Sequence, residues 1–209
     1  MFLVLQQIRK CLKMISSEKD WTEEKYHNIL TKGITSNFIK NLLIEVKKFK
    51  TNSVLDIGCG TGYITKRISL VKPKVIGCDI DKEKLVLAKK YTKNKIRFKH
   101  VNDKKLPFKD NSFDLIICSE VLEHIEDIDF FLTEIKRVGK KFLLITVPNE
   151  PYFRIANFLR LKNVLEFGNG HGHINHFNKK TLKKVFPKEF KLKKLKINSC
   201  LWLMAIYEL

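Results

Sequence analysis

The apolar positions of this chain change their period as the sequence proceeds. Over the first fifty residues they recur at helical spacing. Leu5, Ile8, Leu12 and Ile15 form one stripe, and Phe38, Leu42 and Val46 form another, with breaks at Ser16-Ser17 and Gly33. From Ser53 onward, short apolar runs alternate with amphipathic ones. Strands are predicted at Val54–Asp56, at Val75–Asp79, around Ile96 and Phe98, at Phe113–Cys118 and at Lys141–Val147. The helices predicted between them run over Tyr63–Ser69, Asp81–Lys93 and Ile128–Val138, with Asp81 as an N-cap. Phe113–Cys118 is almost continuously apolar, as a strand covered by helices on both faces must be. This alternation implies a parallel sheet with right-handed crossovers, and a ligand outside the carboxyl ends of its strands.

The pattern changes again near the end. Lys179–Phe186 reads as a short helix, and Leu192–Ser199 and Leu201–Leu209 read as two strands joined at Ser199-Cys200. Between Pro148 and Lys179 the periodicity is weak. Tyr152–Leu161, with Arg154 and Arg160, reads as a helix. A stretch rich in glycine and histidine follows, from Gly168 to Phe177, including His171, His173 and His176. Long irregular segments inside compact domains tend to act as lids, and this one is expected to close over a substrate.

Composition narrows the class. Of 209 residues, 44% are hydrophobic, enough for the core of one α/β domain. No apolar run reaches the length of a membrane span. Met1–Leu5 is apolar, but no basic stretch precedes it and the run stops at Gln6, so no signal peptide is expected. The five cysteines (Cys11, Cys59, Cys78, Cys118, Cys200) contain no C-x-x-C pair, which argues against zinc or disulfides and for a reduced, cytoplasmic protein. The net charge is +19 and rests mainly on lysine, densest over Lys179–Lys196. It would attract a polyanion such as RNA, an acidic membrane surface or an anionic substrate, or it is a solvated lysine-rich surface. Phe186 and Phe190 sit at core-like positions and form no base-stacking stripe.

The chemistry concentrates at Val54-Leu55-Asp56-Ile57-Gly58-Cys59-Gly60-Thr61-Gly62, a strand entering a glycine-rich turn before a helix. A dinucleotide fingerprint needs G-x-G-x-x-G; here Tyr63 occupies the place of the third glycine, and Asp56 would repel a pyrophosphate. That disfavours a nicotinamide oxidoreductase. The D-x-G-x-G-x-G pattern resembles motif I of the class I S-adenosylmethionine-dependent methyltransferases, of the methyltransferase type 11-like domain family. The resemblance implies that Asp56 helps bind the cofactor ammonium group, with Gly58, Cys59, Gly60, Thr61 and Gly62 forming the loop. Asp79, about 20 residues on, stands at the ribose-binding distance, with Ile80 beside it. Asn102 and Asp103, ahead of Leu106-Pro107-Phe108, are alternative partners for the adenine amino group. Ser119, at the end of the fourth strand where the family's substrate pocket begins, is a further cofactor-binding candidate. The resemblance covers about residues 51–150.

The resemblance implies an α/β, Rossmann-like, doubly wound and mostly parallel seven-stranded sheet, with a C-terminal antiparallel hairpin and helices on both faces. The chain is then one domain: a helical cap at 1–50, a cofactor core at 51–147, a lid at 148–178, and a terminal helix and hairpin at 179–209. Trp21 and Tyr26 are candidates to line the cap.

A helix beginning near Ser119 or Glu120 would place Glu120, Glu123 and His124 on one face. Small-RNA 2′-O-methyltransferases and ubiquinone-pathway O-methyltransferases carry a similar E-x-x-E-H motif with a later histidine. The likeness implies a Mg²⁺ site at Glu120, Glu123, His124 and His173. The alternative is that His124, or His173 from the lid, is the general base, with Glu120 as a pocket carboxylate. The expected reaction is methyl transfer to an O or N atom of a small-molecule or lipid-like acceptor. An RNA acceptor and a non-catalytic cofactor-binding subunit are the rival readings.

Overall fold

The computed structural model describes residues 32–102, 105–161, 163–170 and 172–209. The stripe from Leu5 to Ile15, together with Cys11, Trp21, Tyr26, Asp103 and His171, lies outside these residues. Seven strands form one sheet: β1 (Val54–Ile57), β2 (Val75–Asp79), β3 (Arg97–His100), β4 (Phe113–Ser119), β5 (Gly139–Pro148), β6 (Lys191–Asn198) and β7 (Trp202–Glu208). Their spatial order is β3-β2-β1-β4-β5-β7-β6. The first five strands are parallel to one another, and β7 runs antiparallel between β5 and β6. This is the expected doubly wound sheet with its terminal hairpin.

Among the described residues, six helices accompany the sheet: α1 (Lys32–Lys48), α2 (Tyr63–Ser69), α3 (Lys82–Tyr91), α4 (Ile128–Val138), α5 (Tyr152–Leu159) and α6 (Lys179–Val185). Their starts follow the capping chemistry of the sequence. Asp81 accepts hydrogen bonds from the Glu83 and Lys84 amides, Asp127 accepts one from Phe130, and Asn178 and Thr181 form a reciprocal capping box.

Side chains on the central strands alternate between the two faces. Ile116 and Cys118 join Leu143, Ile145, Leu203 and Ala205 under α4 and α6, where Leu132, Ile135 and Leu182 are fully buried or nearly so. Leu115 and Ile117 point the other way, towards Phe38, Leu42 and Val46 of α1 and Ile68 of α2. Burying each of these large apolar side chains contributes about 2 kcal/mol.

Polar contacts fix α1 to the terminal hairpin. Asn198 donates to the Phe38 carbonyl at 3.2 Å, and Ser199 Oγ donates to the Ile34 carbonyl at 2.6 Å. Buried Glu45 receives Lys194 and Lys196 at 2.8 Å each, and Lys48 at 3.2 Å. Burial is the largest single influence on its carboxyl and pushes the pKa up, but the three ammonium groups together outweigh it and hold the pKa at about 2. Part of the lysine run is therefore structural.

One sequence expectation fails at the end of β4. The strand continues to Ser119, and Glu120 has φ 60, which breaks the backbone path. Only a single 3₁₀ turn follows, η1 (Leu122–His124). The helix that would have aligned Glu120 with Glu123 and His124 does not form.

Candidate functional site

The glycine loop lies at the carboxyl end of β1, beside the switch point where β4 neighbours β1 on the opposite side from β2. It is pinned to the adjacent strand: the Gly58 and Cys59 amides donate to the Cys78 carbonyl at 2.8 and 3.0 Å. Gly58 has φ 70, and a Cβ there would collide with Cγ2 of Val121. Only glycine can occupy this exposed, left-handed position.

Asp56 sits beneath the loop, 2% exposed, and accepts the Thr65 hydroxyl at 2.6 Å. Burial raises its pKa to about 7; the Thr65 hydrogen bond opposes the rise and the Asp79 charge adds to it. A carboxyl group poised between its two forms is suited to a cationic ligand group, which would favour the ionised form. Asp79 ends β2 and accepts the Gly60 amide at 2.7 Å and the Asp81 amide at 2.9 Å. Burial raises its pKa as well, against those two hydrogen bonds. Ile80 and Asn102 are exposed beside it, and Thr61 is half-buried. The Cys59, Cys78 and Cys118 thiols are buried with strongly raised pKa values, so none is a nucleophile at neutral pH.

Residues that the sequence did not single out hold the loop carrying Asn102. Glu134 on α4 accepts the Leu106 amide at 2.7 Å, and Arg137 donates to the Leu106 and Phe108 carbonyls at 2.8 Å each. Arg137 also pairs with Glu134 at 2.7 Å. The i, i+3 spacing of an acid and an arginine on a helix was visible, but its backbone target was not.

The second half of the site gathers around η1 and the 148–178 segment. The Ile174 and Asn175 amides both donate to the Glu123 carbonyl, at 2.9 and 3.0 Å, and the Asn175 side chain donates to the Ile125 carbonyl at 2.6 Å. His124 Nδ1 lies 3.0 Å from the Gly172 carbonyl. A carbonyl only accepts, so Nδ1 carries the proton and Nε2 carries the lone pair of the neutral ring. The His173 ring meets His124 edge-on, with centroids 4.9 Å apart, and stacks on Phe153 at 5.8 Å. Gly170 makes room for it, since a Cβ there would overlap the imidazole.

Glu123, His124 and His173 each offer a ligand atom, and these atoms all lie within 4.8 Å of one another. Glu120, expected in this group, stands apart from it. Its carboxylate accepts Trp202 Nε1 at 2.6 Å and Thr146 Oγ1 at 3.4 Å, and Thr146 Oγ1 is 2.9 Å from Ser119 Oγ. Trp202 in turn packs against Phe38 at 4.8 Å and Phe153 at 6.0 Å. His176 is paired with Asn169 at 2.9 Å, outside the cluster. Trp202, Phe153 and Thr146 escaped the sequence reading because tertiary structure alone brings them to η1.

Residues 55–142 match the model of a family described as a methyltransferase domain. A curated relative, a ubiquinone biosynthesis O-methyltransferase of Pelagibacter ubique, is 35% identical over 121 residues, which is 56% of this chain and 50% of the relative. The chain thus spans about half the length of the curated relatives it matches. A SAM-dependent methyltransferase from Aquifex aeolicus superposes with a TM-score of 0.70 at 16% identity, covering 91% of this chain and 99% of that one. Magnesium protoporphyrin IX methyltransferase from Synechocystis PCC 6803, solved with bound SAH, gives 0.65 at 15% identity over 95% of this chain and 93% of its own. At such identities the structures speak for the fold, and the sequence match speaks for the family. Residues 55–142 are thus similar in sequence to a methyltransferase domain, and the chain has the fold of the two solved methyltransferases.

Proposed function

We propose that the protein transfers a methyl group from S-adenosylmethionine to an oxygen or nitrogen atom of a small-molecule or lipid-like acceptor. One observation carries the reading: a buried, ambivalent carboxyl group under a glycine cradle lies one strand away from an imidazole cluster beneath a long segment. The cofactor, when bound, supplies a methyl group already activated by its sulfonium. The chain's own residues fit it. Asp56 receives the ammonium group, Gly58 to Gly62 let the backbone approach, Asp79 receives the ribose hydroxyls, and Asn102 accepts from the adenine amino group. Asp79 would exchange its hold on the loop amides for the hydroxyls, or share it.

At the acceptor, the remaining work is alignment and proton removal. His124 Nε2 takes the proton of an acceptor hydroxyl while the Gly172 carbonyl holds the ring in the required tautomer. His173 and Phe153 form a wall of the pocket. Glu120 positions Trp202. The Pelagibacter relative, named an O-methyltransferase, favours oxygen as the accepting atom. Incubation with methyl-labelled cofactor and fractionated cell extract tests the class. Label in small-molecule or lipid fractions supports the proposal, and label in RNA or protein overturns it.

The donor cluster favours a second reading, in which Glu123, His124 and His173 hold a divalent metal. One carboxylate and two imidazoles suit Zn²⁺, Mn²⁺ or Fe²⁺ better than Mg²⁺, which prefers an all-oxygen shell. The Gly172 carbonyl on Nδ1 is the usual anchor of a ligating histidine. His124 Nε2 cannot be base and ligand at once. Metal content after purification, with a melting temperature that rises on adding Zn²⁺ or Mn²⁺ and is lost in His173→Ala, would favour the metal.

A further inference from the structure

The outer side of the 148–178 segment is the most apolar exposed surface among the described residues. On α5, Phe153 and Asn157 face inward, while Tyr152, Ile155, Phe158 and Leu159 are exposed. At 100° per residue those four cover an arc of roughly 120°. The chain then turns through Leu161, 82% exposed, to η2 (Val164–Glu166), where Leu165 is 97% exposed and Phe167 is 74% exposed.

These side chains sit on a built turn. The Gly168 amide donates to the Asn163 carbonyl at 2.9 Å, and Asn157 Nδ2 donates to the Gly168 carbonyl at 3.1 Å. Gly168 also packs directly on the backbone of Arg154, where no Cβ fits. Leu161 and Phe167 both adopt positive φ, 54 and 52, a conformation that bulky residues disfavour. The turn thus accepts backbone strain while holding leucine and phenylalanine outward. Leu161 and Leu165 protrude almost completely, unlike residues on the floor of a groove that receives a partner helix.

Charge identifies the occupant. From residue 150 to 184 the sequence has seven arginines and lysines against two glutamates, and Glu150 is buried. Arg154 and Arg160 flank the apolar arc. The Glu150 amide donates to the Phe177 carbonyl at 2.8 Å, closing the base of the segment, so that Lys179 and Lys180 of α6 follow directly from it. Protruding apolar side chains within a cationic rim match the surface of an anionic lipid bilayer. We infer that the α5–η2 turn docks the protein on anionic membrane surfaces, inserting Leu161, Leu165 and Phe167. The docking rests on this surface alone. Its consequence, an acceptor drawn from the lipid phase, rests on the methyl-transfer reading.

The test is co-sedimentation of the full chain with phosphatidylcholine vesicles carrying about one quarter phosphatidylglycerol. The comparison is Leu161→Asn/Leu165→Asn/Phe167→Asn, which leaves the net charge unchanged and suits the left-handed backbone. The wild type should partition to the vesicles, and the triple variant should lose at least about tenfold in partition. Its melting temperature and its affinity for S-adenosylhomocysteine should not change. Absence of wild-type binding, or equal binding by the variant, overturns the docking. A lower melting temperature or a changed oligomeric state in the variant, with no loss of vesicle binding, would mean that the patch is covered by residues 1–31 or by a second copy. RNA binding that the variant retains, with no vesicle binding by either protein, would assign the charge to nucleic acid. Failure to bind S-adenosylhomocysteine would sink the methyl-transfer reading while leaving the docking result readable.

Discussion

The two halves of the proposed site, one for cofactor and one for acceptor, are built by different rules. The cofactor half is local: β1, its glycine turn and α2 are consecutive in sequence, and Asp79 ends the next strand in both sequence and space. The acceptor half is assembled from the end of β4 and η1, the carboxyl end of β5, the start of β7 and the 148–178 segment, up to 82 residues apart for Glu120 and Trp202. A half fixed by neighbouring residues can be read one motif at a time. A half fixed by the fold shows its residues but not their partners.

Changes confined to the cofactor half should abolish ligand binding without needing an acceptor. The largest effect is expected at Gly58. Gly58→Val forces a branched side chain into Val121 and into a left-handed backbone. Affinity for S-adenosylhomocysteine should fall by about a hundredfold or more, equivalent to about 3 kcal/mol. Calorimetry showing wild-type affinity would mean that the loop does not cradle the ligand.

In the acceptor half, His124→Ala should lower kcat on the true acceptor by about 10²–10⁴ and leave cofactor affinity unchanged. If chelation abolishes activity to the same degree, the ring is a ligand. Glu120→Gln, which weakens the hold on Trp202 Nε1, should raise the acceptor KM by about tenfold, close to 1.4 kcal/mol, with little effect on kcat. Loss of cofactor affinity in either variant would blur the division between the halves.

A smaller effect belongs to the scaffold that both halves share. Glu45 has a depressed pKa, so its ion pairs stabilise the fold above the ordinary carboxyl pKa of 4.5 and are lost as pH falls towards about 2. Glu45→Gln should cost about 2 kcal/mol at neutral pH and flatten the fall in melting temperature over that acid window. An unchanged acid profile would mean that the three lysines contribute nothing through Glu45.

The same contrast explains how much was legible. The doubly wound parallel sheet, the terminal hairpin and the cap at Asp81 follow from periodicity and short-range hydrogen bonding. The break at Glu120 does not: a single left-handed residue ended β4 where Glu-x-x-Glu-His read as helix, because tertiary contacts to Trp202 and Thr146 override helix propensity. For the same reason Glu120 left the donor cluster that Glu123, His124 and His173 form. The Arg137–Glu134 clamp on Leu106 was hidden because its target is a backbone loop with no sequence signature. The exposure of the leucines in the α5–η2 turn had no sequence signal, since burial is not a property of residue type.

The central claim is that Asp56 meets the positive end of an adenosine-bearing sulfonium cofactor. Calorimetric titration with S-adenosylhomocysteine across pH tests it most directly. Asp56 with its pKa near 7 must ionise to hold an ammonium group. Affinity should therefore weaken about tenfold for each pH unit below 7, with proton release on binding, and Asp56→Asn should remove that dependence. Absence of binding at pH 8, or binding that is indifferent to pH and to Asp56→Asn, would contradict the account.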